Sequence, residues 1–289
     1  MKTICIYHSR DLGGWMSGAI VKMKYPEVDL LGWDYGFPIP SLKGYDKIIM
    51  CDVSFPLANM DLLASSVESI QRDFIWIDHH ASAIKECSFE VEGKYISGYG
   101  GLRDVKFAAC ELTWKYFFPE QEMPEIVRLL GRYDCFGHKG TDEEKKVLVF
   151  QYAARGQISN VEEAYKCLIS MSNYDQDEII ESWLNIGEGI YSYLCVEARQ
   201  TYSMIFPIWL DGHKFACVNQ VRFNPINFGI DYHRDGYDGF ACFHFQNGQF
   251  TYSLYNDNGK VDCSEICKKR GGGGHKGAAG FRSKTLITA

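Results

Sequence analysis

Excess positive charge is missing from this chain. Its 289 residues carry 30 Lys and Arg against 37 Asp and Glu, a formal charge of -7. A protein that coats long nucleic acid needs a broad basic surface, so that class is excluded. A small phosphorylated ligand is not, because bound divalent cations reverse the sign of a local field. No run approaches the ~20 apolar residues that span a bilayer, so a membrane partner is not expected. The opening segment, Met1-Lys2-Thr3-Ile4-Cys5-Ile6-Tyr7-His8, enters a strand pattern directly. It lacks the apolar core and cleavage site of a secretory signal. The 11 cysteines form no CxxC pair. Free thiols in a reducing, cytoplasmic setting are the expectation. Cys263 and Cys267, four apart, read as small apolar helix residues rather than a metal pair. Proline is scarce, at 8 residues, and Pro26, Pro119 and Pro207 stand where elements should stop.

What is present alternates between strand and helix. Residues 3–7, 28–33, 47–53 and 74–78 read as strands, and 94–97 as a short fifth. Helical spacing covers 15–24, 57–69 and 107–118. This alternation predicts a doubly wound, parallel α/β sheet. A helical stretch from 161 to about 204 follows, with a long connecting helix over 175–204 whose middle is weakened by Gly187 and Gly189. Short strands then appear at 208–210, 214–219, 239–246 and 249–255, with Asn247-Gly248 as a hairpin turn, and a helix at 264–269. The expected organisation is an N-terminal α/β domain over 1–174, the connecting helix 175–204, and a smaller mixed α/β domain over 205–289.

Chemistry-bearing residues sit at the ends of these apolar segments. They are His8 and Asp11 after the first strand, and Asp52 closing Ile48-Ile49-Met50-Cys51-Asp52. Asp78-His79-His80 follows Phe74-Ile75-Trp76-Ile77, and Asp134 follows Ile126-Val127-Arg128-Leu129-Leu130. Alone, a strand-end Asp is more often a cap or turn residue than a ligand. Together, these residues can converge, because parallel strands deliver their C-terminal ends to one rim. Imidazole with carboxylate suits manganese, with magnesium, cobalt or iron less apt. A carboxylate on a central strand can bridge two ions, and two ions ~3.5–4 Å apart are the usual machinery of phosphoester hydrolysis.

A second candidate site is Arg270-Gly271-Gly272-Gly273-Gly274-His275-Lys276. Glycines let backbone N–H groups approach an anion closely. Lys269, Arg270, His275 and Lys276 add local positive charge. The small residues from Gly277 to Gly280 suit a helix or a turn packed tightly on a neighbour. Tyr232, Phe243, Phe245, Phe250, Tyr252 and Tyr255 either stack on bases or form the C-terminal core.

On Asp78-His79-His80 and on Gly272-Gly273-Gly274-His275-Lys276-Gly277-Ala278-Ala279-Gly280, the chain resembles the DHH phosphoesterase family with its DHH-associated C-terminal domain. The resemblance covers nearly the whole chain. It implies that His8 and Asp11 hold one manganese, that Asp52 bridges two, and that His79 and Asp134 serve the second. It further implies that His80 contacts the reacting phosphate, that Asp78 supports the histidines, and that His275 with the glycine backbone grips a phosphate or terminal nucleotide. Arg270, Gly272, Gly273, Gly274 and His275 are the expected substrate contacts. Two departures stand out. The family's first motif carries an aspartate where this chain has Gly13, and an arginine is common in a strand that here reads Ser253-Leu254-Tyr255-Asn256.

The expected function is a manganese-dependent phosphoesterase acting on short single-stranded oligonucleotides or on linear or cyclic dinucleotides, not on long duplexes. A pyrophosphatase or polyphosphatase is the alternative. A further alternative is a nucleotide-binding protein impaired in turnover by Gly13. Oligomeric state stays open, with a homodimer as one option.

Overall fold

A computed structural model of the protein describes residues 1–91, 94–173 and 176–288. The expected first residue of the connecting helix, the expected domain edge at 174/175 and residue 289 lie outside these. The chain divides into two compact units, Met1–Ile190 and Tyr191–Ala289.

In the first unit, β1 (Thr3–His8), α1 (Leu12–Lys24), β2 (Asp29–Trp33), β3 (Lys47–Cys51), α2 (Leu57–Ala64), α3 (Ile70–Asp73) and β4 (Phe74–Ile77) follow in order. The four strands form one sheet in the order β2-β1-β3-β4, and all pair in parallel. Successive side chains alternate between faces. Ile4, Ile6, Ile48, Met50, Phe74 and Trp76 pack with Met60, Ala64 and Ile84 on one side. Cys5, Tyr7, Ile49, Cys51, Ile75 and Ile77 pack with Val21, Leu112 and Phe117 on the other. Both faces are covered, so the strands read as continuous apolar runs.

The unit continues through α4 (Ala81–Glu86), β5 (Phe89–Val91), β6 (Lys94–Ile96), α5 (Ala109–Phe117), α6 (Glu125–Asp134), α7 (Glu144–Gln157), α8 (Val161–Asn173) and α9 (Gln176–Tyr202). The expected fifth strand does form, but paired antiparallel with β5 in a separate two-stranded sheet and not in the parallel sheet. The unit boundary falls inside α9. Gly187 has a packing reason: a Cβ there would lie 2.3 Å from the Val149 carbonyl oxygen of α7. Gly189 meets nothing within 4 Å, and nothing in the structure explains it.

The second unit holds β7 (Phe206–Leu210), β8 (His213–Asn219), β9 (Gly239–Gln246), β10 (Gln249–Tyr255), α10 (Cys263–Lys268), β11 (Gly273–Gly274) and β12 (Ala278–Ser283). Its six-stranded sheet runs β11-β12-β10-β9-β8-β7, antiparallel except for the β8–β9 pair. Asp262 caps α10 by accepting from the Ser264 and Glu265 amides. Cys263 and Cys267 are both fully buried in the core beneath the sheet. The segment expected as a helix or turn after Gly277 is instead strand β12, paired with β10 from Ala278 to Ser283. Gly280 serves closeness between backbones, since a Cβ there would lie 2.9 Å from the Tyr252 carbonyl oxygen of β10.

Candidate metal centre

The C-terminal ends of β1, β3 and β4 lie side by side because the strands are parallel and adjacent. The side chains that follow them meet there. Asp11 caps α1, its Oδ1 accepting from the Gly14 amide at 2.9 Å. Its Oδ2 lies 2.8 Å from His8 Nδ1. Gly14 makes this closeness possible, because a Cβ there would sit 2.1 Å from the His8 carbonyl oxygen. Asp52 follows β3 in a left-handed backbone conformation, φ 63°, which Asp tolerates better than most residues. Its amide donates to the Ile77 carbonyl at 2.9 Å, which ties it to β4.

Asp52 divides its two oxygens between two groups. Oδ2 lies 3.7 Å from His8 Nδ1, and Oδ1 lies 3.3 Å from His79 Nε2. Asp134, at the last turn of α6, places Oδ2 3.5 Å from the same His79 nitrogen. Two trios result, His8–Asp11–Asp52 and Asp52–His79–Asp134, and in each the facing donor atoms lie within 4.8 Å of one another. Asp52 Oδ1 and Asp134 Oδ2 are buried without a hydrogen-bond partner among the described residues. Buried polar atoms are rarely left in that state. A cation is what this donor set fits.

Asp78 does different work. It is fully buried, and its Oδ1 accepts from the His79 amide at 2.7 Å and the His80 amide at 3.0 Å. The same oxygen lies 2.7 Å from His80 Nδ1, while Oδ2 accepts from Trp76 Nε1 at 3.2 Å. One carboxylate thus orders the backbone of both histidines and the ring of one.

The charges shift titration strongly. Burial opposes the charge of His79, but Asp134 and Asp52 outweigh it and raise its pKa to about 10. Burial likewise opposes His8, and Asp11 and Asp52 raise it to about 11. His80 moves upward for the same reason, through Asp78 and Asp52. Asp52 is buried, yet His79 and His8 hold its carboxyl far below the usual range. Burial, with Asp52 and Asp11 nearby, pushes Asp134 up to about 7 despite His79.

The Gly13 departure acquires a location. A Cβ at Gly13 would lie 2.9 Å from Asp134 Oδ2 and 3.6 Å from Asp11 Oδ1. A side chain there would enter the second trio. The sequence reading missed Asp34, which follows β2 as Asp52 follows β3. Asp34 Oδ1 lies 3.4 Å from His8 Nε2, and its Oδ2 accepts from Arg10 Nε at 2.6 Å. The signal was the same apolar strand ending in an acid.

The glycine-rich candidates lie in the second unit. Arg270 is bound to Asp211 Oδ1 at 2.7 Å and to the Ile266 carbonyl at 2.8 Å. Arg270 and Lys269 together lower the Asp211 pKa to about 2. Gly273 and Gly274 form β11, hydrogen-bonded to β12, and His275 stands at the tip of this hairpin, its amide donating to the Ala278 carbonyl at 2.8 Å. Of the six aromatics with two open roles, Tyr232, Tyr252 and Phe243 are buried and belong to the core.

No protein-family model matches the chain. An uncharacterized protein of Acanthamoeba polyphaga mimivirus is 23% identical over 260 residues, which cover 83% of this chain and 55% of the viral protein. The chain therefore spans about half the length of that relative. Among solved structures, the DHH domain of a member of the s1p family of ribosomal proteins aligns with a TM-score of 0.54 at 14% identity, covering 96% of this chain and 82% of that one. An exopolyphosphatase-related protein from Bacteroides fragilis aligns at 0.51 and 13%, covering 99% and 88%. The chain has the DHH-domain fold. Within that fold the Asp78-His79-His80 segment follows β4, where both trios meet. No helix among the described residues is long and apolar enough to cross a membrane.

Proposed function

We propose that the protein is a divalent-cation-dependent phosphoesterase, with manganese the preferred ion, that cleaves phosphodiester bonds in short oligonucleotides or dinucleotides. The observation that carries this reading is the Asp52 carboxylate, whose two oxygens face separate His/Asp trios. His8, Asp11 and Asp52 would hold one cation, and Asp52, His79 and Asp134 the other. Cations so held would neutralise phosphate oxygens and make a water nucleophilic at neutral pH. The chain's own groups do the rest. His80, whose pKa Asp78 and Asp52 raise against burial, would donate to a non-bridging phosphate oxygen and stabilise the charge that develops there. Asp78 fixes the histidines' orientation, as carboxylates behind metal-site histidines commonly do. Arg270, Gly272, Gly273, Gly274 and His275 of the second unit are the proposed contacts for the remainder of the substrate.

The test is hydrolysis of the dinucleotide pApA with manganese, beside inorganic tripolyphosphate. The second substrate is chosen because a protein of the same fold is related to exopolyphosphatases. Faster turnover of pApA supports the reading, and turnover of tripolyphosphate alone replaces it with a polyphosphatase. Gly13 favours a second reading, ligand binding with little turnover, since a side chain at 13 would have supplied the second trio. Turnover appearing only in Gly13→Asp supports that second reading.

A further inference from the structure

Beside the two trios stands an aromatic and cationic ledge that no metal-holding role absorbs. β2 ends at Trp33 and leads into Asp34-Tyr35-Gly36-Phe37. These four residues are a built turn. The Phe37 amide donates to the Asp34 carbonyl at 3.0 Å, the Tyr35 amide to Asp34 Oδ1 at 2.9 Å, and Gly36 takes φ 94° at the third position. The Tyr35 ring meets Trp33 edge-on at 5.3 Å and lies 6.3 Å from the His8 ring. Its hydroxyl points inward and accepts from the Ser54 amide at 3.3 Å. The ring is therefore fixed, yet Tyr35 remains 48% exposed and Phe37 also 48%. Arg10 stands 5.9 Å from the centre of the Phe37 ring, tied to Asp34.

Single exposed apolar residues are ordinary. Two exposed aromatics in one turn, with an arginine over one and the other pinned beside a candidate ligand histidine, form a surface of specific chemistry. We propose that Tyr35, Phe37 and Arg10 form a stacking platform for a nucleobase of the substrate, whose phosphate lies at the Asp52 trios. The inference rests on the proposed phosphoesterase reading and narrows it to substrates that carry a base. Flat π faces and a guanidinium are what single-stranded bases stack on, without preference for sequence. Inorganic polyphosphate offers nothing for them to hold.

The experiment compares the full chain with Phe37→Ala and Phe37→Trp, using pApA and inorganic tripolyphosphate with manganese. Loss of one stacked base predicts a roughly 5- to 150-fold rise in KM for pApA in Phe37→Ala, recovery in Phe37→Trp, and no selective loss on tripolyphosphate. An unchanged KM for pApA, or an equal loss on both substrates, overturns the platform. If the full chain turns over neither substrate, the phosphoesterase reading fails, and equilibrium dialysis of pApA reads the platform by itself. Weaker binding by Phe37→Ala than by the full chain then supports it, and equal binding or none overturns it.

Discussion

Replacing Gly13 by Asp should make the metal-free protein less stable and the manganese-loaded protein more so. The new carboxylate would project toward Asp134 Oδ2, which lies 2.9 Å from the added Cβ. That atom is the end of a flexible side chain, so space is not the obstacle. Charge is. Two carboxylates about 4 Å apart repel by about 4 kcal/mol at an effective dielectric of ~20. Two effects reduce that cost. Asp134 titrates near 7, so at neutral pH it takes up a proton rather than bearing the full repulsion. An Asp in the first turn of α1 also gains ~0.3–1 kcal/mol from the helix dipole. At pH 8 in EDTA the cost is limited to that of protonating Asp134 one unit above its pKa, about 1.4 kcal/mol, so a net loss of about 0.5–1 kcal/mol is expected, and less at pH 6. Manganese should reverse the order, because a carboxylate that tightens the second cation a hundredfold adds ~2.7 kcal/mol to Gly13→Asp over the parent at saturating manganese. Urea unfolding of both proteins, with EDTA and with saturating manganese, reads this directly. Equal stability in EDTA, or no larger gain from manganese in Gly13→Asp than in the parent, would refute the placement of residue 13 in the second trio.

Three further outcomes are expected. In α9, Gly187→Ala should destabilise by ~1–3 kcal/mol by overpacking against Val149, while Gly189→Ala, in open space, should stabilise by up to ~1 kcal/mol; thermal melts showing the same sign for both would contradict the packing. Asp78→Ala strands the His79 and His80 amides at ~1–3 kcal/mol each, so a loss of about 2–6 kcal/mol is expected in urea unfolding, with Asp78→Asn losing less because one oxygen remains; a loss under 1 kcal/mol in Asp78→Ala would count against the hydrogen-bond role. Burial opposes ionisation of Glu125, but Arg128 and Lys146 outweigh it and hold its carboxyl below the usual range. Its folded pKa is thus the lower one, so its contribution is complete above the unfolded value of ~4.3 and is lost as pH falls through the folded value. The Tm gap between the parent and Glu125→Gln should therefore be present at pH 7 and close below about pH 4; a gap independent of pH would exclude the ion pairs as its cause.

The parallel sheet and the rim of the site were legible because a buried parallel strand writes itself as an apolar run, and a polar residue at its end has few reasons to be there. Asp52 and Asp78-His79-His80 carry that signature. Asp34 carries it too, yet it was lost in the turn signals of Tyr35-Gly36-Phe37-Pro38. Helix α7 escaped notice because Val147-Leu148-Val149-Phe150 is buried on every side and shows no period. The run after Gly277 misled because small residues fit any close packing, and pairing with β10, which decides for a strand, is a nonlocal fact. Tyr232 and Tyr252 could not be divided between core and surface until partners were known; each has no exposed area.

The central claim is that Asp52 is shared by two cations that make this chain a phosphoesterase. The direct measurement is pApA hydrolysis across a manganese titration, in the parent and in Asp52→Asn. The account predicts turnover that rises with manganese and stops in EDTA for the parent, and none at any manganese concentration for Asp52→Asn. Turnover that survives EDTA, or Asp52→Asn matching the parent, would contradict it.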